Sequence, residues 1–341
     1  MFTILAESYF HTLDPYLVRF TEGFGLRWYG LSYAAGFLIA WLVIRWMAKT
    51  GRSPLTVPGA ADLMFYAIAG VLVGGRLGHV IFYAGGRPLI EFSHSFPYWE
   101  VLAINRGGMA SHGGMIGVIL ACWWYAHRRN VPALHLFDLG ALTCPVGFLL
   151  GRLANFVNAE LWGKALPDSM QTNPPWWSVK YPEEILQNGF AHYEAVYRDL
   201  WGLIGGENTF LEHVVAIAKD SGHSLHAQVR AALEPLLTAY YPSQIFQSLT
   251  DGLLVGLILI LLWLKPRKPG VIGAWYLTIY GALRIVTEVF RQPDAGVGLW
   301  WGLSRGQALS AVMVIVGLIL LAWCTRREVE PLGGLRNAQK S

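Results

Sequence analysis

Two arginines, Arg152 and Arg284, sit inside apolar runs long enough to cross a bilayer, at about 136–158 and 271–290. A charged side chain at mid-membrane costs roughly 2.5–3.5 kcal/mol on insertion scales, so it keeps a partner or carries a function. Polar neighbours recur at helical spacing around both. Arg152 and Asn155 stand at i, i+3, followed by Asn158 and Glu160, while Tyr280, Arg284, Glu288 and Arg291 form a stripe along the later run. Arg76, His79 and Tyr83 share one face of another apolar run, His112 opens a third within RGGMASHGGMIG, and Tyr29 opens the first. A guanidinium presents a planar fork of donors that matches phosphate oxygens and stays protonated. Histidine and glutamate beside it are candidates for proton transfer. The residue types therefore point to a polar cavity within lipid that binds an anion, with a phospholipid headgroup phosphate the best fit.

Taken singly, each residue also has a structural reading. Glu288 one turn from Arg284 makes an intrahelical pair, Arg291 suits an interfacial position, and Asn155 and Asn158 suit hydrogen bonds between helices. Arg76, His79 and His112 can serve packing or capping. Glycines 74, 75, 78, 107, 108, 113, 114 and 117 can serve close helix approach.

The elements that must position these residues follow from composition. Of 341 residues 54% are hydrophobic and 14% charged, against about a quarter charged in a soluble domain. With 15 Trp and 38 Gly, this is the composition of an all-α polytopic membrane protein. About seven transmembrane helices are expected, near 29–45, 61–84, 112–126, 136–158, 243–264, 271–290 and 306–324. Basic residues follow the first, third, fifth and seventh: Arg45, Lys49 and Arg52; Arg128 and Arg129; Lys265, Arg267 and Lys268; Arg326 and Arg327. The positive-inside rule then sets the N-terminus outside and the C-terminus in the cytoplasm. On that topology Arg284 lies ~20 Å from the inner edge at 1.5 Å per residue, on the order of 10 Å below the outer surface.

The expected organisation is a membrane core over 1–163, an outside (periplasmic) head over 164–242 and a second core stretch over 243–341. The head carries PPWW at 174–177 and amphipathic stretches, and the N-terminal twenty residues read as an amphipathic segment at the membrane surface rather than a signal peptide. Cys122, Cys144 and Cys324 fall in apolar runs, with no metal-ligand spacing. No basic stripe or reading motif points to nucleic acid.

Several motifs carry a resemblance. GRLANFVNAELWG at 151–163, RWYGLSY at 27–33, GGRLGHVIFY at 74–83, GGMASHGG at 107–114, PSQIFQ at 242–247 and YGALRIVTEVFRQPD at 280–294 resemble, in order, the bacterial prolipoprotein diacylglyceryl transferases. The resemblance implies transfer of the diacylglyceryl group of phosphatidylglycerol to the lipobox cysteine thiol of a preprolipoprotein signal peptide. A thioether forms and glycerol-1-phosphate leaves, without metal or organic cofactor. It implies a multi-pass protein of the bacterial plasma (inner) membrane, among membrane lipids, with its active site toward the outer leaflet. Arg152 and Arg284 match the essential arginines and would stabilise the leaving phosphate. His112 matches a histidine suited to act as base or orienting group. Tyr29, Arg76, Asn155, Asn158, Glu160, Gly163, Tyr280, Glu288 and Arg291 fall on motif positions that imply substrate contacts or support of the arginines. Ala154 and Ala159 depart from glycines frequent in the family, and Tyr241 from a histidine. The main rival is a phospholipid carrier or scramblase using the same cavity without catalysis.

Overall fold

Helices dominate a chain of long apolar runs because in lipid only an internal hydrogen-bond ladder satisfies every backbone donor and acceptor. The computed structural model describes residues 7–21, 24–94, 97–102, 108–205, 209–292 and 302–336 and is mostly helical. Its longer helices are α1 (Trp28–Lys49), α2 (Val57–Phe82), α3 (Ser111–Arg129), α4 (Ala133–Val157), α5 (Tyr193–Ile204), α6 (Phe210–Lys219), α7 (His226–Leu233), α8 (Ser243–Leu262), α9 (Val271–Thr287) and α10 (Arg305–Arg326). Five of them, α1, α2, α4, α8 and α10, are long and apolar enough to cross a membrane. Leu38, Leu42, Phe65, Val73, Leu261 and Ile319 on their sides are exposed, the kind of surface that acyl chains cover. The chain is a membrane protein.

The other two expected spans are helical but less decisive. Helix α3 carries His127, Arg128 and Arg129 in its last turn, and α9 is only 17 residues long, giving way to a tighter turn at Glu288–Phe290. The all-α expectation needs a small correction. Strand β1 (Tyr9–Phe10) pairs in parallel with β4 (Val179–Lys180), which pairs antiparallel with β5 (Ala239–Tyr240); β2 (Tyr16–Thr21) and β3 (Phe24–Arg27) form a hairpin. From Tyr9 on, the N-terminal segment thus carries β-structure, and it contributes a strand to the sheet of the expected head.

The chain forms two compact units, one of residues 1–35, 147–254 and 280–312, the other of 36–146, 255–279 and 313–341. In the first, α5, α6 and α7 bury Val196 and Leu200, Phe210 and Val214, and Val229 and Leu233 with Phe10 and Ile185. These i, i+4 pairs give each short helix one apolar face, and full burial of such a side chain contributes about 1.5–3 kcal/mol. His11, just after β1, is fully buried against Tyr181 and Phe156, with Nε2 2.8 Å from the Phe156 carbonyl and Nδ1 without a partner among the described residues. Burial, then the nearby Lys219 charge, pushes its pKa down to about 4.

In the second unit, glycine spacing fixes the packing of α2 on α3. Gly70, Gly74 and Gly78 face Gly113 and Gly117, so close that a Cβ on Gly117 would lie 2.0 Å from the Gly70 carbonyl oxygen. Asp138 on α4 caps α9 from outside, accepting from the Gly270 N–H at 2.7 Å and the Gly273 N–H at 2.8 Å. Arg45, Arg128 and Arg327 each stack on the Trp four residues earlier, and Arg52 stacks on Trp46. The basic residues that set the expected orientation are therefore stem-and-ring anchors of an interfacial type. Cys122 and Cys324 are buried, whereas Cys144 is exposed.

Two outcomes follow. Gly117→Ala is expected to lower the yield of monodisperse protein in detergent, while Gly140→Ala, where nothing lies within 4 Å of the added methyl, is tolerated; equal yields would refute the packing argument. For His11, the folded pKa lies below the unfolded value of about 6.5, so the unfolded chain binds more protons between the two. Stability is full above pH 6.5 and falls as pH drops toward 4, by roughly 3 kcal/mol across the window. Thermal unfolding midpoints at pH 7.5 and 5 should separate more for the native chain than for His11→Asn.

Candidate active site

The signature stretch 151–163 lies in the first unit, at the end of α4. Asn155 is buried, and Asn155 Nδ2 and Asn158 Nδ2 each approach the Glu160 carboxylate at 3.4 Å, one on each oxygen. The chain turns sharply after the helix: Ala159 and Leu161 have φ of 52° and 56°, a left-handed conformation that disfavours a Cβ. Side chains satisfy the carbonyls this turn leaves open. Trp162 Nε1 donates to Ala159 O at 2.7 Å, Gln244 Nε2 to Glu160 O at 2.7 Å and Ser243 Oγ to Leu161 O at 3.1 Å. Gly163 then passes so close to the Tyr241 backbone that a Cβ would lie 2.2 Å from its carbonyl oxygen, and Gly163 bridges to Arg291. This glycine is a place of close approach of three chain segments.

Helix α9 brings the second arginine. Tyr280 packs on Phe148 with ring centroids 5.1 Å apart. One turn on, Arg284 Nη2 lies 3.0 Å from Glu288 Oε2, and Arg291 Nη1 lies 3.6 Å from Glu288 Oε1. Arg284 is 9% and Glu288 7% exposed, so one buried carboxylate stands between two guanidiniums. The contact with Arg284 is an ion pair without hydrogen-bond alignment: among the described residues, Glu288 Oε2 receives no hydrogen bond and the buried Arg284 Nη1 has no partner. Arg152 is half-buried and lies in electrostatic range of Arg284, Arg291, Tyr280 and Asp251. Three guanidiniums thus share the site with two buried carboxylates, Glu288 and Asp251.

Asp251 and Ser304 escape the sequence reading. Asp251 is 0% exposed in a π-helical stretch of α8, Ser248–Leu254, with Oδ2 unpartnered among the described residues and Thr250 Oγ1 donating to Oδ1 at 3.2 Å. Gly252 allows this stretch to meet Leu149, one turn before Arg152. The available signal was an acid inside an apolar span, the same signal that singled out the arginines. Ser304 Oγ donates to Glu288 Oε1 at 3.3 Å, a contact across 16 residues that no local spacing announces.

The remaining expected residues divide. Tyr29 lies in the first unit on α1, its hydroxyl 3.1 Å from that of Tyr33 and within the electrostatic reach of Glu160 and Arg152. Arg76 and His112 belong to the second unit. Arg76 is buried, and its guanidinium donates to the carbonyls of Val101, Glu100 and Gly108. That arrangement ties the segment before α3 to α2, an anchoring role that the sequence did not show. His112 is exposed in the first turn of α3. Gly107 of the glycine-rich motif lies outside the described residues.

Comparison with known proteins agrees with the chemistry of the first unit. Residues 15–323 match the family model described as prolipoprotein diacylglyceryl transferase. A phosphatidylglycerol–prolipoprotein diacylglyceryl transferase of Bdellovibrio bacteriovorus is 42% identical, covering 93% of this chain and 94% of the relative. Proteins of the same name from Stenotrophomonas maltophilia and Serratia proteamaculans are 33% and 35% identical, covering 94% and 95% of this chain and 95% and 98% of their own length.

The turn after α4 is testable by itself. A left-handed residue with a Cβ costs about 1–2 kcal/mol, so Ala159→Gly is expected to raise the thermal midpoint with activity retained. A lower midpoint would show that Ala159 is not strained.

Proposed function

The chain belongs to the prolipoprotein diacylglyceryl transferase family, and from that premise we propose that the Arg152–Arg284–Arg291 cluster is where its reaction runs. The protein is a transferase of lipoprotein maturation: it moves the diacylglyceryl group of phosphatidylglycerol onto a prolipoprotein, forming a thioether and releasing glycerol-1-phosphate. The acceptor is the lipobox cysteine of the signal peptide. Its sulfur attacks the glyceryl carbon that carries the phosphate, the S–C bond forms, and the C–O bond breaks with its electron pair leaving on the phosphate. The thiol proton is lost to a base, because an ordinary thiol is mostly protonated at neutral pH.

Negative charge grows on the leaving phosphate as the C–O bond lengthens. Fixed guanidiniums in a water-poor site stabilise that charge without reorganising at the moment of reaction. The observation that carries this reading is the Arg284 fork: it is buried, steadied by Glu288 at 3.0 Å, and keeps Nη1 free of any described partner. Arg152, in electrostatic range, supplies a second fork from another helix. Glu160, bracketed by Asn155 and Asn158, together with Tyr29 and Tyr280, would hold the glycerol end of the headgroup, and Gly163 keeps the turn that presents them. His112, in the second unit, keeps only the role its motif implies, that of a base or an orienting group. The protein would lie in the bacterial inner membrane with N-terminus outside and seven spans, its active site toward the outer leaflet, where exported prolipoproteins arrive.

The test is lipidation of a lipobox peptide by purified protein in detergent with phosphatidylglycerol. Arg284→Ala and Arg152→Ala are each expected to lower kcat by about 100-fold or more, the scale of losing one transition-state donor, with expression retained. Wild-type turnover in either variant would remove that arginine from the site.

A further inference from the structure

Glu288 has a seat, and the seat is made by the start of α10. Ser304 precedes the helix, and Ser304 and Gln307 cap it reciprocally: the Gln307 N–H donates to Ser304 Oγ at 3.1 Å, and the Ser304 N–H donates to Gln307 Oε1 at 3.0 Å. The same Ser304 hydroxyl donates to Glu288 Oε1 at 3.3 Å. Beside it, Gly306 leaves the space that the carboxylate occupies. A Cβ there would lie 2.5 Å from Glu288 Oε1, 2.7 Å from Cδ and 3.1 Å from Oε2.

We propose that Ser304 and Gly306 are positioning residues of this transferase, holding the Glu288 carboxylate where it aims Arg284 and Arg291. The inference rests on the reading of Arg284 as a holder of the substrate phosphate. Its force lies in what the crowding at Gly306 would move. The nearest atoms are the far end of a side chain, not backbone, so an added methyl displaces the carboxylate and leaves α10 intact. Glu288 Oε1 is the atom that faces Ser304 and Arg291, and Oε2 the atom that faces Arg284. Moving the carboxylate therefore moves both guanidinium contacts together. The seat also suits the charge, since a helix N-terminus favours a carboxylate. A buried carboxylate with only arginines to hold it would follow them; one fixed to a capped helix orients them.

The experiment is steady-state lipidation with Gly306→Ala, Ser304→Ala, Ser304→Thr and Gly306→Ala combined with Glu288→Asp, alongside Arg284→Ala. Gly306→Ala is expected to lower kcat at least about tenfold while KM for phosphatidylglycerol changes less than about threefold, as befits an interaction that matters most in the transition state. Its thermal midpoint should stay close to that of the native chain. Ser304→Ala should lose less, and Ser304→Thr should recover most of that loss. Glu288→Asp in the Gly306→Ala background should regain activity over Gly306→Ala alone, because the shorter side chain clears the methyl. Native kcat in Gly306→Ala beside an inactive Arg284→Ala overturns the inference and leaves the reading of Arg284 standing. Loss of kcat in Gly306→Ala with a collapsed midpoint and no recovery by Glu288→Asp overturns it too. A fully active Arg284→Ala overturns the reading itself.

Discussion

A buried guanidinium next to a buried carboxylate is the interaction around which the first unit is arranged. Arg284 and Glu288 are each nearly excluded from solvent, and removing one partner of such a pair leaves a stranded charge worth 3–5 kcal/mol, on the order of a third of a domain's whole stability. The surrounding structure serves this pair. A tighter turn after α9 brings Arg291 back to the same carboxylate, a capped helix start receives it, and a glycine leaves it room. Nearby, a π-helical stretch carries Asp251 into range of Arg152 and Arg284. π-Bulges recur at functional sites because they turn a side chain inward that a regular helix would place elsewhere.

Arginine appears in this chain in two states, and the difference explains the division of labour. Arg76 is buried with its donors taken up by the backbone carbonyls of Val101, Glu100 and Gly108, and an arginine so engaged holds a loop. Arg284 is buried to the same extent, yet Nη1 donates to no described group. A donor left over in a low-dielectric site has high affinity for an anion, since an unmet buried donor forfeits its hydration. Sequence types alone do not separate these cases. Their hydrogen-bond partners do.

The sequence went far toward the fold and the site because its strongest signals are local. Apolar runs marked the helices, basic residues marked the ends that stack on tryptophan, and i, i+4 spacing placed Glu288 against Arg284. Ala159 illustrates a signal seen without its reason: it stands where glycine is frequent in the family, and its φ of 52° makes that departure a matter of backbone conformation. Contacts at long range were out of reach. Strand β1 joins β4 across some 170 residues of chain, and Ser304 reaches Glu288 from beyond the end of its element. Two-residue strands have no period to read, and a serine before a helix announces its cap but not its second partner.

The central claim is that Arg284, steadied by Glu288, holds the phosphate of phosphatidylglycerol. The most direct measurement is the ³¹P resonance of phosphatidylglycerol titrated into the purified protein in detergent, without acceptor peptide. The account predicts a saturable shift for the native chain that Arg284→Gln abolishes and Arg76→Gln, in a folded sample, leaves in place. A saturable shift of the same size in Arg284→Gln would contradict it.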